Sequence, residues 1–183
     1  GGGGFGDPLD RAPDAVLKDF GRGWVSHDTA EKIYGVVIAA DGKSADASAT
    51  SRKREDIRRA RRDQAKAEAG KPSAFNGDGK KDLKTLLKFH AALETAGDKK
   101  NAVVRCSRCG HVYCSVKENY KLYALHRVVH LKDFMPNALP TGEPYIGEYH
   151  YYFCPGCATQ LQVDLFCPPL GGEPILWDIR IAS

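Results

Sequence analysis

Cys106-Ser107-Arg108-Cys109-Gly110-His111 and, farther along, Phe153-Cys154-Pro155-Gly156-Cys157 decide how this chain reads. Each stretch holds a C-x-x-C pair among residues that favour a tight turn. Two cysteines three apart, on a turn whose backbone amides point at sulfur, form a knuckle. Two knuckles brought together fill a tetrahedral coordination sphere with four thiolates. Gly110 suits a left-handed position in such a turn, and Pro155 with Gly156 is expected to do similar work in the second. The predicted ligands are therefore Cys106, Cys109, Cys154 and Cys157, holding one structural zinc. A catalytic zinc would keep an open position and usually a histidine or carboxylate ligand, whereas four cysteines close the site. The alternative is two unrelated thiol pairs, redox-active or disulfide-bonded; nothing in the sequence reads as an export signal, and a reducing cytoplasm is the expected compartment. The gap between Cys109 and Cys154 exceeds the ~15–20 residues of a compact ribbon, so a sizeable insert is expected between the knuckles.

The flanks read as strands. Val103-Val104 leads into the first knuckle and His111-Val112-Tyr113-Cys114 leads out. Ile146 to Phe153 is an aromatic strand entering the second, and Gln160 to Phe166 returns with Leu161, Val163 and Leu165 alternating against Gln160, Gln162 and Asp164. Tyr120 to Leu131 is ambiguous; His126 and His130 share a face on either a helix or a strand, and no Glu follows His126 as a metalloprotease helix would require. Upstream, Asp82 is read as the cap of a helix bearing Leu83, Leu86, Leu87, His90 and Leu93, ended by Gly97. His90 on that stripe is a core or boundary histidine rather than a ligand. Cys167 is expected to be a small buried thiol. Met135 to Pro144 is a loop, and Ile175 to Ile181, with Trp177, a last apolar stretch.

The 183 residues carry a net charge of +4, too mild to imply nucleic acid by itself. Apolar and charged residues are near globular proportions, and no run is long enough for a transmembrane helix. The chain opens on Gly1-Gly2-Gly3-Gly4 and its one methionine is Met135, which suggests a processed chain or the tail of a longer polypeptide. Three parts are expected. Residues 1–45 hold a glycine loop read as close-packed backbone, a helix begun at Pro13 with Ala15, Val16, Leu17 and Phe20 on one side, a second helix capped by Ser26, and a strand Tyr34-Gly35-Val36-Val37-Ile38. So much apolar surface on so little chain must pack on another body. Residues 46–81 are a charged helix and a linker, 70–81. From Arg52 to Glu68 there are eight basic and four acidic side chains, an excess equal to the whole chain's net charge. A phosphate-binding helix is one reading; a solvated helix laced with pairs such as Glu55–Arg59 and Arg59–Asp63 is the preferred one. Residues 82–183 are the ribbon. The fold class is α+β: a short helical and strand tail, a charged helix, then a small zinc-ribbon-like antiparallel β domain.

Two resemblances follow from these residues. The glycine run, Gly6-Asp7-Pro8, Val16, Asp19, Val25-Ser26 and Tyr34-Gly35-Val36 resemble the extreme C-terminal end of the hydantoinase B/oxoprolinase family over residues 1–45. That family's catalytic residues would lie outside this chain. Cys109-Gly110-His111, Cys114, Lys117, Asn119, Lys121-Leu122 and Tyr152-Phe153-Cys154-Pro155 with Cys157 resemble the acetone carboxylase gamma subunit over about 103–168. Carried over, that resemblance matches the four zinc-type cysteines and gives Cys114 a counterpart, making it a candidate substitute ligand. Together they imply the zinc-binding part of an ATP-dependent, biotin-independent acetone or acetophenone carboxylase, a ligase. ATP with Mg or Mn would sit on hydantoinase A-like and hydantoinase B-like partners in a hetero-oligomer. An ATP-dependent hydantoinase or oxoprolinase-type amide hydrolase is the close rival. A zinc-ribbon nucleic-acid module is the rival of another class, which the sparse basic residues at the knuckles disfavour.

Overall fold

The computed structural model describes residues 6–65, 83–98, 100–133, 141–143 and 145–180. The glycines before Gly6, Asp82, the linker 70–81 and most of the 135–144 loop lie outside them. The fold is mixed: among the described residues three helices come first, then antiparallel sheet, in two compact units, 1–63 and 64–183.

In the first unit Pro13 opens α1 (Pro13–Gly21), and the Ser26 side chain accepts from the Thr29 amide to cap α2 (His27–Lys32), both as the sequence predicts. Asp46 caps α3 (Ala47–Gln64) by accepting from the Ala49 amide. Residues 34–38 are not the predicted strand. The Val36 amide bonds Ala30 O and the Val37 amide bonds the Thr50 hydroxyl, leaving one isolated bridge, Ile38 to Ala45. Val16, Ala30, Val36 and Ile38 form a small core with Leu17, Phe20 and Val25 against it.

The charged helix is not a merely solvated one. Arg61 makes two hydrogen bonds, 2.7 and 3.0 Å, to the buried Asp7 carboxylate, and Arg54 donates to Tyr34 O and Arg11 O. A side chain at Gly35 (φ +62°) would strike the Arg54 stem at 2.7 Å, so the helix lies close over that turn. Surface pairing also differs from expectation: Arg59 pairs with Asp56, and Arg62 with Glu55. Of the tail's apolar residues, expected to need an outside body, Val16, Val36 and Ile38 are buried in a core of their own, while Trp24 and Ile33 stay exposed.

Among the described residues the second unit carries two sheets. One has the order β1 (Thr85–Lys88), β2 (Leu93–Ala96), β3 (Val103–Cys106), β4 (Val112–Ser115), all antiparallel. The other has β5 (Leu125–His130), β6 (Glu148–Phe153), β7 (Gln160–Phe166), also antiparallel. The helix predicted from Asp82 is instead the β1–β2 hairpin. Leu86 and Leu87, taken as core, are exposed, while Leu93, Glu94, Thr95 and Ala96 are all buried, Glu94 held by Arg105 at 2.7 Å. Tyr120 to Leu131 resolves into a 3-10 turn (Tyr120–Tyr123) and then β5. On β7 the expected alternation fails at its far end: Leu165 is exposed and Asp164 is turned to the buried Lys121. Among the described residues no helix is long and apolar enough to cross a membrane.

Candidate metal centre

Each knuckle is the turn of a hairpin. β3 runs into the first and β4 out of it; β6 runs into the second and β7 out of it. The two turns share one backbone pattern. In the first, the Cys106 amide donates to His111 O at 2.7 Å and the Gly110 amide to Cys106 O at 2.9 Å. In the second, the Cys154 amide donates to Thr159 O at 2.9 Å and the Ala158 amide to Cys154 O at 2.8 Å. Superposed on their cysteines, Gly110 corresponds to Ala158 and His111 to Thr159. Gly110 has φ +76°, as expected, and Ala158 takes the left-handed position of the second knuckle at φ +54°. The role expected of Pro155-Gly156 therefore falls to Ala158. Gly156 serves a different need: a Cβ there would lie 2.9 Å from Cys109 Sγ and 3.3 Å from His111 Cβ. The missing side chain lets the second turn sit against the first.

That approach brings four sulfurs together. Cys106, Cys109, Cys154 and Cys157 offer ligand atoms all within 4.8 Å of one another. Cys106 Sγ lies 3.8 Å from Cys157 Sγ, and Cys109 Sγ lies 3.6 Å from Cys154 Sγ. A tetrahedron with Zn–S of about 2.3 Å has sulfur–sulfur edges of about 3.8 Å, so the spacing suits a zinc-sized ion. All six cysteines are free thiols, and Cys106 and Cys154 are fully buried.

The protons of the cluster tell the same story. Cys106 is pulled down to about 7, first by hydrogen bonding with Cys109 and then with Cys154. Cys157 is held far below the ordinary thiol range by hydrogen bonds from Cys106, Cys109 and Cys154. Cys109 and Cys154 are pushed the other way, each foremost by its hydrogen bond with Cys106. The four thiols cannot all ionise together at such distances without a cation. A divalent ion that takes tetrahedral thiolates would remove that restriction.

Other predicted or singled-out residues fall elsewhere. Cys114 stands outside the cluster: its thiol donates to Glu118 O, and burial pushes it up to about 12. Cys167 is half-buried rather than buried, at the start of a 3-10 turn. His90 is half-buried, its Nδ1 accepting from the Ala92 amide at 3.2 Å in the β1–β2 turn. His126 and His130 do share a strand face. His126 Nε2 lies 3.0 Å from His150 Nδ1, and Glu148 bonds both His150 and His130.

Sequence reasoning missed two features. Lys121 is fully buried between Asp164 at 2.7 Å and Asp178 at 2.9 Å, over the Tyr152 ring. With Asn119 bonded to Leu176 O, it ties the last apolar stretch, Ile175 and Ile179 included, to the core. Thr159 is the other; its hydroxyl lies 3.1 Å from Cys157 Sγ. Aligning the two C-x-x-C pairs on their cysteines would have singled out its position.

A match to a protein family bears on the same region. Residues 82–182 match the family described as acetone carboxylase gamma subunit. The match is longer than the 103–168 resemblance and takes in the β1–β2 hairpin. The chain is also 47% identical over 64 residues to the acetone carboxylase alpha subunit of Xanthobacter autotrophicus, covering 33% of this chain and 8% of that protein. The chain thus spans a small fraction of the length of the curated relative it matches.

Proposed function

The chain belongs to the acetone carboxylase gamma subunit family, and from that premise we propose that it is the zinc-holding structural part of a multi-subunit ketone carboxylase. The complex is ATP-dependent and biotin-independent, of the acetone or acetophenone carboxylase type. Its catalytic residues lie outside these 183 residues, and hydantoinase A-like and hydantoinase B-like subunits carry ATP with Mg or Mn. Residues 1–45 are the hydantoinase B-like end of a longer subunit. Zinc, held by Cys106, Cys109, Cys154 and Cys157, cross-links the two hairpins and supplies no reaction step.

The observation that carries this reading is the sulfur cluster with edges of 3.6 and 3.8 Å inside the family-matched segment. Four thiolates leave no open position for substrate or water, which favours a structural role. A nucleic-acid role draws little support, because Arg54 and Arg61 are committed to groups of their own unit.

The test is to isolate the chain with whatever large subunits co-purify from its source. Labelled bicarbonate should be incorporated into a simple ketone only when ATP is supplied. A complex that fixes no bicarbonate into any ketone, but cleaves hydantoin or 5-oxoproline with ATP, would replace the carboxylase reading with the amide hydrolase.

A further inference from the structure

One buried hydroxyl stands against the sulfurs in the second knuckle. Thr159, 2% exposed, has its Oγ1 3.1 Å from Cys157 Sγ. The Tyr113 hydroxyl, also buried in this core, has no hydrogen-bond partner among the described residues. Leaving the Thr159 hydroxyl without an acceptor would cost roughly 1–3 kcal/mol, and a thiolate is an acceptor.

We propose that Thr159 is a positioning residue of the metal centre, donating an O–H···S hydrogen bond to Cys157. This rests on the reading that the four cysteines hold a metal. A hydrogen bond to a metal-bound thiolate draws off negative charge and lowers its basicity. It thereby slows protonation of the sulfur, the step that frees the ligand from the metal.

The experiment uses the full chain, loaded with zinc or with Co(II) as a spectroscopic probe. Thr159→Val keeps the shape and removes the hydroxyl. It should release zinc to excess chelator about tenfold faster and move the sulfur-to-Co(II) charge-transfer band to lower energy. Thr159→Ser should restore both readouts. Tyr120→Phe removes a partnerless buried hydroxyl in the same core, and should leave the band where it is. Wild-type release and band position in Thr159→Val would overturn the role of that hydroxyl. An equal shift in Tyr120→Phe would reduce the effect to general packing and overturn it as well. Failure of the wild-type chain to take up either metal would instead remove the metal reading itself.

Discussion

The two knuckles have the same backbone hydrogen bonds and different side chains, and the difference shows what a thiolate turn requires. The first places glycine at the left-handed position and an exposed cysteine at its tip. The second places Ala158 at that position and glycine two residues earlier, where the first knuckle has Arg108. Backbone conformation is thus met by Gly110 in one turn, and close approach by Gly156 in the other. The second turn accepts the cost of a left-handed alanine, on the order of 1–2 kcal/mol, in a position that is completely buried.

The largest effect should come from removing a ligand. Cys154→Ser is expected to abolish metal retention and unfold the ribbon, because the metal closes a long loop between two hairpins. Metal analysis with thermal melts checks it, and Cys114→Ser and Cys167→Ser should keep full metal. Metal retained in Cys154→Ser, or lost in Cys167→Ser, would break the ligand assignment. Next comes Gly156→Ala. Its Cβ would lie 2.9 Å from Cys109 Sγ and 3.3 Å from the His111 stem, so the knuckles must part. We expect a loss of roughly 2 kcal/mol or more and weakened metal binding, read by melting and by competition with a chelator.

A paired substitution sharpens the comparison. Gly110→Ala meets nothing within 4 Å and should cost about 1 kcal/mol from backbone strain alone. Ala158→Gly should gain up to about 1 kcal/mol, reduced by the flexibility glycine adds to the unfolded chain. Denaturant melts of the metal-loaded proteins should therefore show opposite signs. Equal signs would mean that the turns are not equivalent.

The smallest effect concerns pH outside the knuckles. Burial holds His90 below its ordinary value of about 6.5, and its Nδ1 accepts a backbone hydrogen bond. The folded chain therefore binds this proton less readily than the unfolded chain does. The stability His90 contributes is complete above the unfolded value and is lost as pH falls through it. His90→Asn keeps an acceptor and does not titrate. Its melts should lose less stability than wild type between pH 7 and 5, by less than about 1 kcal/mol because the ring is half exposed. A steeper loss in the variant would reverse the assignment.

What could be read from the sequence was chemistry that is local in the chain. The C-x-x-C pairs, the Pro13 and Ser26 helix starts, and the strands around the knuckles need only neighbouring residues. The β1–β2 hairpin was hidden because Leu83, Leu86, Leu87, His90 and Leu93 imitate a helical stripe, although Leu86 and Leu87 face solvent. The segment 34–38 has strand composition, but its amides are claimed by Ala30 and Thr50. Arg54 and Arg61 looked solvated because their acceptors, Arg11 O and Asp7, lie more than forty residues away. Lys121 is legible only once Asp164 and Asp178 are folded against it.

X-ray absorption at the zinc edge of the purified full chain tests the central claim most directly. Both knuckles on one ion predict one zinc per chain with four sulfur neighbours near 2.3 Å and no nitrogen or oxygen in the shell. Fewer than four sulfurs, or a chain that holds no zinc while its cysteines remain reduced, would contradict it.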